Sequence, residues 1–169
     1  MKIIIDAMGG DNAPVEIVKG TLAAAAKRPD VEMVLVGREE AVRAAMGQQA
    51  PANVAVVNAT EVIEICDDPA TAFKKKKDSS ITVGLNMLKT GEGDAFVSAG
   101  STGALLSAAT LVVKRIKGIR RAAMCPVIPT AAGQAVLIDC GANAECTVEY
   151  LVQFAYLGSF YASRVLGIQ

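Results

Sequence analysis

Residues 3–14 read Ile3-Ile4-Ile5-Asp6-Ala7-Met8-Gly9-Gly10-Asp11-Asn12-Ala13-Pro14: an apolar run, an aspartate, two glycines and a helix start. Continuous isoleucine without polar alternation is typical of a strand buried on both faces of a parallel sheet. Ligands bind outside the carboxyl ends of such strands. The candidate site residues of this segment are therefore Asp6, Gly9, Gly10 and Asp11. A turn that binds no ligand is the alternative, with Asn12 capping the next helix and Pro14 in its first turn.

Composition narrows the classes of protein that fit this chain. The 17 basic and 17 acidic residues cancel, whereas a general nucleic-acid-binding protein usually carries a basic excess. The start of the sequence lacks the basic and apolar regions of a secretory signal, and no stretch approaches the roughly 20 apolar residues of a membrane span. We therefore expect a cytoplasmic α/β protein that does not bind nucleic acid.

The chain contains four cysteines and no histidine. Because no CxxC pair is present and no histidine can complete a zinc site, we expect no metal centre and no cofactor. The missing histidine also excludes a Ser-His-Asp triad or a Cys-His pair within this chain. Catalysis must then use carboxylates, lysines, hydroxyls, thiols or backbone N–H groups, which favours electrostatic and positional catalysis.

Apolar runs alternate with helical stretches at the spacing of βαβ units. The predicted strands are Lys2–Asp6, Val31–Val36, Val54–Val57, Asp94–Ser98, Ala122–Val127 and Gln134–Asp139. The predicted helices are Pro14–Lys27, Arg38–Met46, Ser79–Leu88, Thr102–Ile116 and Thr147–Leu166. This order predicts a three-layer α/β sandwich with a mostly parallel, Rossmann-like sheet. Pro126–Pro129 and Ala131–Gly133 predict a hairpin-like break between two neighbouring strands.

The last predicted helix concentrates the aromatic residues. Of three tyrosines and four phenylalanines, five lie in it: Tyr150, Phe154, Tyr156, Phe160 and Tyr161. A helix that is apolar nearly all round is normally buried on most sides. We expect a homodimer or larger assembly that buries Phe154, Leu157 or Tyr161 at a contact. Coverage by further chain, peripheral contact with a membrane, and a central position in a small compact domain are the alternatives.

A loop rich in glycine and hydroxyl groups follows the predicted strand Asp94–Ser98 and opens an apolar helix. Free N–H groups and the dipole at a helix start favour an anion, and hydroxyls add neutral donors. The loop matches neither a P-loop nor a GxGxxG motif. Its candidate substrate-binding residues are Ser98, Gly100, Ser101, Thr102 and Gly103. A simple N-cap role for Ser101 or Thr102 is the alternative.

A second candidate segment is Lys74-Lys75-Lys76-Lys77-Asp78-Ser79-Ser80. We interpret Asp78 as the cap of the next helix, with Ser79 in its first turn. Positive charge beside exposed N–H groups attracts an anion such as phosphate. The candidate site residues here are Lys77, Asp78 and Ser79. A solvated basic turn is the alternative.

A third candidate segment is Asp139-Cys140-Gly141-Ala142-Asn143-Ala144-Glu145-Cys146, at the end of a predicted strand. Asp139 and Asn143 either orient a nucleophile or hydrogen-bond the loop backbone, as such residues often do. No thiolate-stabilising neighbour is evident for Cys140, so both cysteines are interpreted as small structural residues. Asp6, Asp139 and the Ser98 loop all follow strand ends, which predicts that they meet at one edge of the sheet.

These segments, in this order, resemble the bacterial phosphate acyltransferases of phospholipid synthesis. The matching motifs are Asp6–Asp11, Asp67-Asp68-Pro69, Lys76-Lys77-Asp78-Ser79-Ser80, Ser98-Ala99-Gly100 with Thr102-Gly103-Ala104, Arg115–Ile119, Asp139 with Gly141-Ala142-Asn143, and Gln153-Phe154-Ala155. The resemblance covers the whole chain and implies a fold like phosphotransacetylases and isopropylmalate-type dehydrogenases. Because family members are longer, it also implies that residues 1–169 are one α/β domain, the N-terminal portion of a longer chain.

The resemblance implies that inorganic phosphate attacks a fatty acyl thioester of acyl carrier protein, giving acyl phosphate for phospholipid synthesis. The enzyme then mainly holds two anionic reactants in line and stabilises an oxyanion, which needs no histidine. The residues implied to hold phosphate are Ser98, Ser101, Thr102 and Lys77. The residues implied to orient the reactants are Asp6, Asp11, Asp139 and Asn143.

Two positions depart from the family pattern. Asn12 stands where the family usually has histidine, and Ser101 where it usually has asparagine. Asn12 can replace a histidine that only caps a helix, and Ser101 keeps a hydrogen-bonding group with a shorter reach. Two rival classes stay open: a nucleotide- or phosphometabolite-binding oxidoreductase on the same fold, which lacks its dinucleotide fingerprint here, and a non-catalytic interaction module.

Overall fold

The computed structural model describes residues 1–48, 51–131 and 133–168. The chain divides into two compact units, Met1–Lys114 and Arg115–Gln169. Each unit has its own secondary structure.

The first unit is built on a parallel sheet of four strands. These are β1 (Lys2–Asp6), β2 (Glu32–Gly37), β3 (Val54–Asn58) and β4 (Ala95–Val97). Their order is β3-β2-β1-β4, so β1 lies inside the sheet with a parallel neighbour on each side. Its central residue Ile4 pairs with Val34 and Phe96 and is fully buried. The apolar run at the start of the chain is thus a strand covered on both faces.

Helices cover both faces of this sheet. They are α1 (Val15–Lys27), α2 (Glu39–Met46), α3 (Ala72–Lys75), α4 (Ser80–Thr90) and α5 (Thr102–Val112). Val18 of α1 and Val42 of α2 pack with Leu35 on one face. On the other face Ile4 and Val34 pack with α4 side chains. This arrangement confirms the predicted three-layer α/β sandwich.

The structure corrects two details of these helices. Pro14, not Asn12, occupies the N-cap position of α1, and no side chain caps that helix. Asn12 contributes its carbonyl oxygen, which accepts from the N–H of Glu16 at 3.2 Å. The first lysines of the basic run, Lys74 and Lys75, lie in the short helix α3, which is not among the predicted helices.

The second unit contains a two-stranded antiparallel ribbon and a helix. The strands are β5 (Val127–Thr130) and β6 (Gly133–Val136), and the helix is α6 (Val148–Phe160), continued by a π-helical turn (Tyr161–Val165). The predicted strand Ala122–Val127 is wrong, because β5 begins where that prediction ends. Pro129 lies inside β5, a position tolerated because both strands of an isolated ribbon are edge strands.

Helix α6 buries one face and exposes another. Phe154 is 2% exposed, and Gly158 lies against Ile138. Phe154 is therefore not free for the subunit contact predicted from the sequence. Val152, Tyr156 and Phe160 are exposed. Within the described ranges, no helix is long and apolar enough to cross a membrane.

The sheet and α4 approach each other at Gly84, which makes this position sensitive to volume. A methyl group on Gly84 would lie 2.9 Å from Phe96 Cδ2 and 3.2 Å from Ile4 Cγ2. We expect Gly84→Ala to lower the free energy of unfolding by about 1–3 kcal/mol through overpacking. At Gly20 of α1 the same methyl group meets nothing within 4 Å. Gly20→Ala should therefore raise that free energy by about 0.5–1 kcal/mol. Equilibrium denaturation of both variants tests these two predictions, and equal changes in the free energy of unfolding would contradict them.

Candidate functional site

A cleft of ≈ 280 Å³ opens in the first unit. Its walls come from the loop after β1, the segment after β3, the start of α2 and the turn before α5. The lining residues are Met8, Gly10, Asp11, Ala13, Arg38, Val62–Ile65, Gly100 and Ser101. The structure therefore brings four sequence candidates to one cleft: Gly10, Asp11, Gly100 and Ser101.

A chain of hydrogen bonds holds the loops after β1 and β4 together. The N–H of Gly100 donates to Ser98 Oγ at 3.0 Å, and the Ser98 hydroxyl donates to Asp6 Oδ2 at 2.6 Å. The other carboxylate oxygen of Asp6 accepts from the N–H of Met8 at 3.1 Å. Asp6 is only 1% exposed, so this geometry supports a role in fixing the two loops behind the cleft. Ser98 is likewise occupied with its protein partners.

The absence of a side chain at Gly9 lets these loops touch. A methyl group on Gly9 would lie 2.7 Å from the backbone nitrogen of Gly100, a contact that real side chains do not make. Gly10 has a φ of 107°, which favours glycine on conformational grounds. Gly9 is therefore explained by packing of loop on loop, and Gly10 by the backbone turn that lines the cleft.

The turn before α5 presents the start of that helix. Ser101 is its N-cap, and its Oγ accepts from the N–H of Ala104 at 3.4 Å. Thr102 begins the helix with an exposed side chain. The first N–H groups of a helix have no acceptor within it, so this end offers donors to an anion. Gly103 faces away toward Pro69, where a methyl group would lie 3.0 Å from the proline Cβ.

Residues 60–79, which we term the wall segment, connect β3 to α4. Their ends are joined, because Asp78 Oδ2 accepts from the N–H of Thr60 at 2.9 Å. The Thr60 hydroxyl also donates to this oxygen and is the main cause that holds the pKa of Asp78 below its usual range. Ser79 is fully buried and is the N-cap of α4. Asp78 thus closes the wall segment instead of capping the helix, and Ser79 is not accessible to a substrate.

The basic groups near the cleft differ from those singled out in the sequence. Lys77 has an exposed side chain and is not among the residues that line the cleft. Arg38 does line it, and its Nε donates to the carbonyl oxygen of Thr60 at 3.1 Å. Sequence reasoning missed Arg38, although it directly follows the end of β2 and so obeys the same strand-end rule as Asp6. Asp11 and Glu64 add carboxylates to the lining.

The second unit contains its own polar cluster. Asn143 Nδ2 donates to Asp139 Oδ2 at 2.9 Å and to the carbonyl oxygen of Ala122 at 3.0 Å. Arg121 Nε donates to Asn143 Oδ1, and the Cys146 thiol lies 3.8 Å from Asp139 Oδ2. Asp139 Oδ1 is buried without a hydrogen-bond partner among the described residues. Asp139 and Asn143 thus hydrogen-bond each other, and Asn143 also binds the loop backbone.

Two further observations concern metals and thiols. Among residues 1–48, 51–131 and 133–168, no group of three Cys, Asp or Glu side chains could hold a metal ion. Burial raises the pKa of the Cys125 thiol, which therefore stays protonated at neutral pH. All four cysteines are free thiols.

Similarity to known proteins extends over the whole chain. The model of the family described as fatty acid synthesis protein matches residues 1–169. The phosphate acyltransferase of Caldanaerobacter subterraneus subsp. tengcongensis is 48% identical over 169 residues, which are 100% of this chain and 50% of that protein. The phosphate acyltransferase of Thermoanaerobacter pseudethanolicus is 50% identical over the same shares of the two chains. The chain therefore spans about half the length of the curated relatives it matches.

A solved structure supports the fold. The phosphotransacetylase from Streptococcus pyogenes superposes with a TM-score of 0.72 over 99% of this chain and 55% of that one. The two sequences are 21% identical, so the similarity concerns the fold.

The bond between Ser98 and Asp6 can be tested by mutation. Ser98→Ala removes the donor to a buried carboxylate and the acceptor of the Gly100 N–H. We expect the free energy of unfolding to fall by about 1–3 kcal/mol, the cost of unpaired buried polar groups. The control is Ser107→Ala on α5, for which we expect a change within about 0.5 kcal/mol. Equal denaturation midpoints for the two variants would refute this role of Ser98.

Proposed function

The chain belongs to the fatty acid synthesis protein family, and from this premise we propose that the full-length protein is a phosphate acyltransferase. It transfers a fatty acyl group from acyl carrier protein to inorganic phosphate, and the product is an acyl phosphate used in phospholipid synthesis. The observation that carries the proposal is the match of two phosphate acyltransferases along the whole chain at 48% and 50% identity.

The cleft supports an anionic substrate at the turn before α5. Phosphate bound there would accept hydrogen bonds from the first N–H groups of α5 and from the Thr102 hydroxyl. The N-cap position of Ser101 and the bond from Gly100 to Ser98 fix the direction of this helix end. Lys77 and Arg38 add positive charge that attracts phosphate from solution. The N–H and hydroxyl donors at this helix start favour an anion such as phosphate over a neutral nucleophile such as water.

The reaction needs little acid or base catalysis from the protein. A phosphate oxygen attacks the thioester carbonyl carbon, a C–O bond forms, and the carbonyl oxygen becomes an oxyanion. When the tetrahedral intermediate collapses, the C–S bond breaks and the thiolate of the carrier leaves, later taking a proton from solvent. The protein contributes by holding the reactants in line and by donating hydrogen bonds to developing negative charge. Asp11, which lines the cleft, is proposed to orient the reactants.

The carboxylates of Asp11 and Glu64 affect where an anion can bind in the cleft. Both line it, so the lining carries two acidic groups and one basic group, Arg38. Carboxylates repel phosphate, and the proposal therefore places phosphate at the α5 end and not at the centre of the cleft. The proposed partners are acyl carrier protein and phosphate, and the proposed compartment is the cytoplasm, where a peripheral contact with the membrane would bring the product to its consumer.

The activity and the phosphate position are tested together in the full-length protein. Acyl phosphate release is followed with acyl carrier protein thioester and inorganic phosphate. Thr102→Ala removes one hydroxyl donor, so we expect about 1–3 kcal/mol weaker use of phosphate, seen as a higher KM for phosphate. The KM for acyl carrier protein should stay unchanged, because the carrier docks elsewhere.

Thr110→Ala, two turns further along α5, serves as the control and should leave both KM values unchanged. No acyl phosphate from the wild-type protein would refute the proposed function. A Thr102→Ala enzyme with an unaltered phosphate dependence would refute this position for phosphate while leaving the activity intact.

We also propose that the full-length protein self-associates through α6. Val148, Val152, Tyr156 and Phe160 recur every fourth residue and are 50–79% exposed, forming one apolar stripe. Such a row is inclined to the helix axis and can pack against its own copy about a twofold axis.

Tyr156→Lys should therefore shift the solution mass toward the monomer, measured by sedimentation equilibrium. Ser159→Lys, at an exposed polar position of the same helix, is the control and should leave the mass unchanged. A monomeric wild-type protein would contradict self-association, and binding of that monomer to lipid vesicles would assign the stripe to a membrane instead.

A further inference from the structure

Lys76 lies inside the wall segment and joins two of its parts. Its Nζ donates to the carbonyl oxygen of Val62 at 2.8 Å and forms an ion pair with Asp67 Oδ2 at 2.5 Å. The same Asp67 oxygen accepts from the N–H of Glu64 at 2.7 Å. One ammonium group and one carboxylate therefore close residues 62–67 into a ring of polar contacts. Both side chains are less than a third exposed.

The part that Lys76 closes is also the part that forms the cleft wall. Val62, Ile63, Glu64 and Ile65 all line the cleft. Ile63 is also buried in the core together with Phe73 of α3, so the wall is anchored from behind by packing. Lys76 supplies the polar anchor at the other side of the same strip of backbone.

The wall segment then reaches the proposed phosphate position. Two residues after Asp67, Pro69 packs against Gly103 in the first turn of α5. A change in the path of residues 62–67 would therefore move one wall of the cleft relative to the start of α5. Such a displacement matters because it would change the geometry in which the cleft and the N–H groups at the start of α5 receive phosphate.

The charge of Asp67 fits this role at neutral pH. The hydrogen bond from Lys76 is the main cause that holds the pKa of Asp67 below its usual range, and the bond from Glu64 N–H adds to it. A lowered carboxyl pKa stabilises the folded state above the pKa of the unfolded chain, and that contribution is lost as the pH falls through the folded pKa. The Asp67 carboxylate is thus charged at neutral pH.

We propose that Lys76 is a positioning residue that fixes the wall of the cleft, through Val62 and Asp67, against the start of α5. This inference rests on the proposed function for its kinetic consequence only. Lys76 does not touch the reactants in this scheme, and it acts through the backbone that lines the cleft.

Amide hydrogen exchange tests the positioning directly in the full-length protein. Lys76→Met keeps most of the side-chain stem and removes the charge and the donors. We expect exchange at Glu64, whose N–H donates to Asp67, to accelerate about tenfold, while exchange in β1 stays unchanged. Lys75→Met, at the exposed neighbouring lysine, should leave both unchanged, and Lys76→Arg should restore slow exchange because it keeps charge and donors. Unaltered exchange at Glu64 in Lys76→Met would overturn the proposal.

Steady-state kinetics test the consequence. We expect Lys76→Met to raise the KM for phosphate about tenfold with kcat changed far less, since binding geometry is lost and the chemical step is not. A residue that only stabilised the fold would lower the amount of active enzyme, hence apparent kcat, without changing KM. Faster exchange with an unchanged KM would therefore overturn the positioning role.

The two experiments separate this inference from the proposed function. A wild-type protein that forms no acyl phosphate would refute the proposed function, whereas the exchange comparison would still decide whether Lys76 fixes the wall. An active wild-type protein with identical exchange and KM in Lys76→Met would refute the inference alone.

Discussion

The cleft depends on the buried carboxylate of Asp6. A carboxylate that is 1% exposed is tolerated only when protein donors replace water, and here they are the Met8 N–H and the Ser98 hydroxyl. Because Ser98 follows β4 while Asp6 ends β1, this requirement ties together two loops that are far apart in sequence. The two loops then approach each other so closely that a methyl group on Gly9 would collide with the backbone nitrogen of Gly100.

The fold of the first unit could be predicted because strands that are buried on both faces consist of uninterrupted apolar residues. The runs around Ile4 and Leu35 are apolar without interruption, and these two residues are fully buried. In the second unit, apolar runs do not coincide with the strands. Residues 122–126 are apolar but form no strand, and Pro129 lies within one although its sequence context indicates a turn. An isolated ribbon has two edges, and so its strands need neither continuous apolar residues nor every backbone N–H group.

The site was partly predictable for a similar reason. Strand ends and helix starts are visible in a sequence, and this found Gly10, Asp11 and the turn at Ser101, all of which line the cleft. The other wall, Val62–Ile65, does not follow a strand directly. Its path depends on contacts with residues that are distant in sequence, such as Lys76. Val62–Ile65 therefore carries no local pattern that distinguishes it from a surface loop. Arg38 directly follows the end of β2, so the strand-end rule could have found it.

The four consecutive lysines show this limit most clearly. The sequence presents identical side chains, yet Lys74 lies over the Phe73 ring, Lys75 is exposed at the end of α3, and Lys76 pairs with Asp67. Their roles diverge because α3 ends after Lys75, and the backbone of the next residue turns its side chain back into the wall segment. What separates a solvated lysine from an anchoring one is thus the position of a carboxylate nine residues away. Only the closed path of the chain, set by Asp78 and Thr60, brings that carboxylate within reach.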